Sequence, residues 1–453
     1  MAAKIKVNLK PLRRFAVQKP NASVLLFVAT ILAMVLANSP WAHAYQHMLS
    51  FPIDLQIRNI HIFSHHGEPM TMLAFVNDAL MAIFFFVIGL EIKQEMLIGE
   101  LSSPRKAMLP VIAAVGGMIV PVLCYILVCH ASPESRGAAI PMATDIAFAL
   151  AVLGALGKRV PLGMRIFLTA LAVVDDIGGI IVIALFYSSH ISYIPLLISA
   201  LLLAVLYIGG RMQIYNRWFY YVLGFFVWML FLESGIHPTI AGVLIAFMVP
   251  ARPRIDLKDF MHDMNGYTEM LRVSTDNYSR TSELLSPTQI HVLNNIHTLT
   301  DKTISPLQSI ADKLHPMVNY LILPLFAFVN AGVTFGDIQL DSLVKVPLAV
   351  LLGLFVGKTL GIFSFTYLFV KTKVCGLPKG MTYKALLGLS MLGGVGFTVS
   401  LFIANLSFDA ATTLGADLLN QAKLGVFAGS FVSGICGYLY LNRVLTKQTP
   451  TEE

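Results

Sequence analysis

Residues 166–186 form a run as long as a membrane-crossing helix, uncharged except at its centre, where Asp175 and Asp176 stand side by side. About 20 apolar residues span the hydrocarbon core of a bilayer as a helix. Placing one ionised carboxylate at that depth costs roughly 2.5–3.5 kcal/mol on insertion scales. Two neighbours also repel each other. A chain that keeps such a pair must meet it with groups from other helices, and the arrangement points to holding a cation or moving protons.

Composition extends this reading to the whole chain. Of 453 residues, 56% are hydrophobic and 13% charged, against about 25% charged in soluble domains. The expected class is an all-α polytopic membrane protein. The net charge of +7 fits orientation in a membrane better than a nucleic-acid partner, because no basic patch with interleaved aromatics occurs. Residues 22–37, the first long apolar run, lack a small-residue cleavage site and read as a first membrane helix. Cys124, Cys129, Cys375 and Cys436 have neither metal-site nor disulfide-framework spacing.

Twelve candidate spans are centred near Ala29, Ala82, Gly117, Phe148, Asp175, Leu201, Phe225, Val243, Pro324, Phe355, Gly394 and Gly429. Lys and Arg concentrate in alternate connections. One set includes Lys4 to Lys19, Lys93 to Lys106, Lys158 to Arg165, Arg211 and Arg217, the loop after Pro250, Lys371 to Lys384, and Arg443 with Lys447. The other holds little beyond Arg58, Arg136, Lys345 and Lys423. Positive charge favours the cytoplasmic side, so both termini are expected there. The chain then divides into a cytoplasmic segment 1–21, a membrane domain 22–442 and a tail 443–453. Residues 51–63 alternate apolar and polar around Arg58-Asn59, a hairpin signal on the outer face. Residues 251–313 read as a partly ordered cytoplasmic insert with weak helical patterns.

Three further features place unusual chemistry in the membrane. Residues 141–149 combine Pro141 and small residues with Thr144 and Asp145. This is a weak point in a helix where Asp145 is either a ligand or a neutraliser of exposed half-helix ends. Gly393, Gly394 and Gly396 favour an unwound backbone in the eleventh span. Lys358 lies near mid-span, where an ammonium needs a carboxylate partner, and Asp175 and Asp145 are the deep candidates. The broken segments are the fourth and eleventh spans, which marks spans three to five and ten to twelve as candidate halves around a midplane ion site.

Ala143-Thr144-Asp145-Ile146-Ala147-Phe148-Ala149, Asp175-Asp176-Ile177-Gly178, Gly357-Lys358 and Gly394-Val395-Gly396-Phe397-Thr398 resemble the NhaA-type Na+/H+ antiporters. So do Glu91-Ile92-Lys93-Gln94-Glu95 with the residues before it, and the stretch 321–332. That family is itself among the cases behind the paired-break rule. The resemblance implies twelve helices with two inverted three-helix repeats and crossed, discontinuous fourth and eleventh helices. It implies electrogenic, pH-activated exchange of Na+ or Li+ for protons in a bacterial inner membrane, with no cofactor, and a homodimer joined through the outer hairpin. By position it assigns Asp176 and Asp175 as ion and proton carboxylates, Thr144 and Asp145 as accessory ligands or dipole compensators, and Lys358 as charge partner. Glu91, Glu95, His237 and His315 become pH-sensing candidates. Gln94, Ala311-Asp312 and Thr359 depart from the family pattern, and the first three bear on pH response.

Two other classes compete. An intramembrane aspartyl protease needs two aspartates on separate, facing helices, whereas Asp175 and Asp176 are adjacent on one, which leaves Asp145 as the acid that could oppose either. A sodium-coupled solute symporter needs a roomy polar pocket beyond the ion ligands, and no such cluster is visible in the sequence.

Overall fold

The computed structural model describes residues 22–53, 56–57, 60–61, 64–65, 68–188, 191–276, 284–334 and 345–446. The expected segment 1–21, the turn Arg58-Asn59 and the tail beyond 446 lie outside them. The chain is mainly helical. Its helices are α1 Ala22–Ala37, α2 Ala42–Leu49, α3 Met72–Ile98, α4 Pro104–Val128, α5 Ile146–Ala155, α6 Leu162–Phe186, α7 Tyr193–Arg211, α8 Arg217–Ser234 and α9 Thr239–Met248. They continue with α10 Leu257–Asp276, α11 Pro287–Thr303, α12 Pro306–Met317, α13 Leu323–Asn330, α14 Val346–Lys371, α15 Tyr383–Leu392, α16 Phe397–Ser407 and α17 Thr413–Thr446.

Six of these are long and apolar enough to cross a bilayer, and up to nine spans result if three sharply bent pairs each count once. The outward face of α7 shows why lipid is the solvent. Ile194, Leu197, Ile198, Leu201, Val205 and Ile208 are all exposed and recur at helical spacing, which makes one apolar stripe. Such a stripe is stable only against hydrocarbon.

The bent pairs follow from local chemistry. The 3-10 segment Glu134–Met142 contains Pro141 and gives way to extended backbone before α5 starts, at a bend of 46°. The α15–α16 pair bends by 47° across Gly393 to Gly396. Glycine is required there. A side chain on Gly394 would strike the Leu354 carbonyl and the Ser433 hydroxyl. Gly116 on α4 and Gly361 on α14 likewise meet backbone to backbone, the close approach that small residues permit between membrane helices. Three π-helical turns interrupt the helices: Phe75–Leu80 within α3, Val318–Ile322 between α12 and α13, and Gly353–Gly357 within α14, just before Lys358.

Strands β1 Pro52–Ile53, β2 Gln56–Ile57, β3 Ile60–His61, β4 Ser64–His65 and β5 Glu68–Thr71 precede α3. β2 and β3 pair antiparallel with Gln56 opposite His61, the hairpin expected around positions 58–59. The β structure continues past residue 63, because β5 pairs antiparallel with both β1 and β4.

Within 251–313, α10 and α11 pack on one another. Ser286 and Gln289 form a reciprocal capping box at the start of α11, which satisfies two otherwise orphaned N–H groups. Arg217 at the start of α8 lies 3.9 Å from Asp301 of α11. One sequence expectation is corrected: Lys423 is no loop residue. It lies ten residues inside α17 and is only 9% exposed, because the apolar helix begins earlier than the local charge indicates.

Candidate functional site

α6 delivers Asp175 and Asp176 to the middle of the molecule, 1% and 5% exposed. Successive helical residues point about 100° apart, and the two carboxylates meet different surroundings. Asp175 Oδ2 pairs with the ammonium of Lys358, which α14 brings in fully buried. The Thr144 hydroxyl is 2.5 Å from the same oxygen and 2.8 Å from the Gly393 carbonyl, and it accepts from Lys358 Nζ at 3.0 Å. Its one proton serves one acceptor at a time. The other Asp175 oxygen, Oδ1, is buried with no hydrogen-bond partner among the described residues. Asp176 has none for either oxygen among them. The three groups come from sequence positions 144, 175–176 and 358; α6 and α14 bring the ion pair together, and the two helix breaks add the Thr144 hydroxyl and the Gly393 carbonyl.

Asp145 sits at the crossing of the two breaks, where the N-termini of α5 and α16 meet. Half-helix N-termini expose N–H groups and a positive dipole end. Asp145 Oδ1 accepts from Phe148 N at 3.1 Å, and Oδ2 from Thr398 N at 3.1 Å and Thr398 Oγ1 at 2.5 Å. One carboxylate thus caps both half-helices. Asp145 N also donates to Val395 O at 2.7 Å, which ties the breaks together. From α17, Ser430 Oγ accepts from Gly396 N at 3.2 Å and Phe397 N at 3.1 Å. The acceptors of Asp145 are committed to the crossing, whereas Asp175 Oδ1 and both oxygens of Asp176 remain available to a ligand.

The four pH-sensing candidates do not form one cluster. Glu91 on α3 and His315 on α12 meet, Oε1 to Nε2, at 3.4 Å with both side chains 36% exposed. Glu95 folds back over the end of α3, where its Oε2 accepts from Glu100 N at 3.0 Å. His237 lies toward the strand-bearing end of the spans. Its Nδ1 is 2.8 Å from Thr239 Oγ1 and its Nε2 is 3.6 Å from Asp78 Oδ1. Asp78, Thr398 and Ser430 escaped the sequence reading as site residues. Asp78 had a usable signal, a carboxylate inside an apolar run. The two hydroxyl residues had none, since threonine and serine are ordinary in membrane helices.

Among the described residues no three His, Cys, Asp or Glu side chains converge as a transition-metal site. The donors present are hard oxygens, which suit alkali cations and not soft metals. A cavity of about 360 Å³ lies among α3, α8, α9 and α12, but its walls, including Phe86, Phe225, Trp228 and Ile245, are apolar and include none of the site residues. It is not the polar solute pocket that a symporter would need.

The family model described as Na+/H+ antiporter 1 matches residues 13–441. The Na(+)/H(+) antiporter NhaA of Parabacteroides distasonis is 73% identical over 444 residues, covering 98% of each chain. That of Porphyromonas gingivalis is 54% identical over 433 residues, covering 96% of this chain and 95% of the relative. That of Bacteroides thetaiotaomicron is 52% identical over 443 residues, covering 96% and 98%. A solved structure of the sodium proton antiporter MjNhaP1 from Methanocaldococcus jannaschii aligns over 97% of this chain and 94% of that one, with a TM-score of 0.49 and 14% identity. With the family model spanning nearly its whole length and curated relatives above half identity along the same length, this chain belongs to the Na+/H+ antiporter 1 family.

Proposed function

We propose that this protein exchanges Na+ or Li+ for protons across a bacterial cytoplasmic membrane, with Asp175 and Asp176 as the shared carriers. It is a transporter and not an enzyme. The observation that carries the reading is the unpartnered Asp175 Oδ1 next to the adjacent carboxylate of Asp176, both residues buried at mid-span. A dehydrated Na+ needs hard oxygens, and Asp175, Asp176, Thr144 and water supply them. Protons compete for the same carboxylates: protonation releases the ion, and ion binding releases protons. Lys358 holds Asp175 while the site lacks a cation, and an arriving ion takes its place. If two groups give up protons per monovalent ion, the second being the other aspartate or Lys358, the cycle moves net charge. Asp145 acts chiefly as the dipole compensator of the crossing, because its oxygens already cap both half-helices.

The same reading takes the chain as twelve spans with two inverted three-helix repeats and both termini cytoplasmic. The helix-per-centre correspondence and the alternation of Lys and Arg support it. It places Glu91 and His315 at the cytoplasmic approach, as groups that adjust activity with pH. Gln94, Ala311 and Asp312 there set this chain's profile apart from the general family pattern. The strands of 52–71 lie outside and join two copies into a homodimer, since a two-stranded pair is marginal alone in water.

The test is a Na+ pulse to proteoliposomes loaded with a pH-sensitive dye. The native chain moves protons against Na+ with no added solute, and Asp176→Asn does not. Normal proton release by Asp176→Asn would sink the assignment.

A further inference from the structure

Beyond the crossing, α16 carries a second set of contacts that cation binding does not use. Thr398, Phe402 and Asn405 fall at i, i+4 and i+7 and therefore share one helical face. Thr398 bonds Asp145 at the crossing. Phe402 is fully buried. Its ring meets the His237 ring edge-on at 5.3 Å and tilts against Phe85 at 5.5 Å and Phe326 at 6.3 Å. Asn405 Nδ2 donates to Asn330 Oδ1 at 2.9 Å. Asn330, itself fully buried, exchanges two further hydrogen bonds with Asn77, at 3.2 and 2.8 Å.

These contacts join two groups of helices. α16 packs on α17 and on the 3-10 segment before α5, with the transport site. Asn77 and Phe85 belong to α3, Phe326 and Asn330 to α13, and His237 to the turn leading into α9. The two groups share one buried apolar cluster that includes Phe85, Phe326 and Phe402, and they pack directly at α13 against α16 and at α3 against α6. Asn405 lies roughly 10 Å along the axis from Thr398, toward the strand-bearing end. In that direction stand the buried phenyl ring of Phe402 and then a carboxamide chain whose central oxygen, Asn330 Oδ1, already accepts two N–H groups. In the other direction Glu91 and His315 are partly open to solvent.

We propose that Phe402 and Asn405 are the outer gate of the transport path. Phe402 fills the passage and Asn405 latches it to Asn330. Both leave these partners before a cation passes between the site and the outer face. The inference rests on the exchange reading above and adds the residues that time it. The gate residues ride on the half-helix whose Thr398 bonds Asp145, beside Thr144, so a change at the Asp145–Thr398 contact is carried along α16 to the latch.

The experiment places Asn330→Cys and Asn405→Cys together in the full-length chain, with Cys124, Cys129, Cys375 and Cys436 replaced by serine. The pair is bridged in proteoliposomes with a short bis-methanethiosulfonate. Exchange is expected to fall at least tenfold on bridging and to return on reduction, and this reversibility separates a locked gate from a misfolded chain. Phe402→Ala is expected to open the passage and to produce Na+ efflux without matching proton uptake. A pair that does not bridge, bridged protein exchanging at the unbridged rate, or tightly coupled exchange in Phe402→Ala overturns the gate. If the cysteine-free parent shows no Na+-driven proton movement while folded, the exchange reading fails instead.

Discussion

Lys358 and Asp175 form an ion pair with no access to water, and removing one member of such a pair leaves a bare charge. That typically costs about 3–5 kcal/mol. Lys358→Ala is therefore expected to destabilise the protein by about that much in urea unfolding from micelles. The double variant Lys358→Met with Asp175→Asn recovers most of the loss, and additive losses in the two substitutions would refute the pairing. Asp176 behaves oppositely. Lys358 pairs with Asp175 and not with Asp176, so Asp176→Asn strands no ion-pair partner and is expected to change stability by less than about 1 kcal/mol while abolishing exchange. The three charged residues were legible in the sequence because an ion in an apolar run is anomalous whatever its neighbours are. Their pairing was only half legible, since the sequence offered Lys358 both Asp175 and Asp145. Ser430, Thr398 and the Asn77–Asn330–Asn405 chain were not legible. Each is a small polar residue whose meaning depends on a helix up to 253 positions away.

At the scale of elements, the two breaks were readable from Pro141 and from Gly393, Gly394 and Gly396, because proline and glycine act locally on the backbone. What the breaks expose was not readable. The N–H groups opening α16 are taken up by Ser430 on a different helix, an N-cap supplied in trans. Losing an N-cap costs about 0.5–2 kcal/mol, so Ser430→Ala is expected to lower stability within that range. Ser433, one turn further along α17, is buried but has no hydrogen-bond partner among the described residues. Ser433→Ala is accordingly expected to be neutral or slightly stabilising. Equal effects from the two substitutions, read by the same unfolding transition, would remove the capping role. Of the three π turns, Gly353–Gly357 carries two glycines, whereas the other two contain no such mark. Phe75–Leu80 and Val318–Ile322 contain neither proline nor glycine.

At the scale of the molecule, competition for one buried site ties Na+ affinity to pH. If Na+ binding displaces a proton, lowering the pH weakens apparent Na+ affinity, roughly tenfold per pH unit for each proton displaced. Below the titration range of the carriers, the apparent KM for Na+ is therefore expected to rise on acidification with a logarithmic slope between one and two, and a slope above one marks a charge-moving cycle. Glu91 and His315 lie at the opposite end of the spans from the gate and pair with each other, with no hydrogen bond or ion pair to Asp175 or Asp176 among the described residues. Substituting Glu91→Gln is expected to move the pH at which exchange switches on and to leave that slope unchanged. Asp175→Glu, which keeps the charge but displaces its oxygens, is expected to change the slope or the limiting affinity itself. Exchange against Na+ concentration, measured at several pH values in right-side-out and everted vesicles, separates these cases. A KM for Na+ that is flat across pH, with only kcat varying, would mean that protons act on the conformational step and not at the carboxylates, and the shared-site mechanism would then have to be given up.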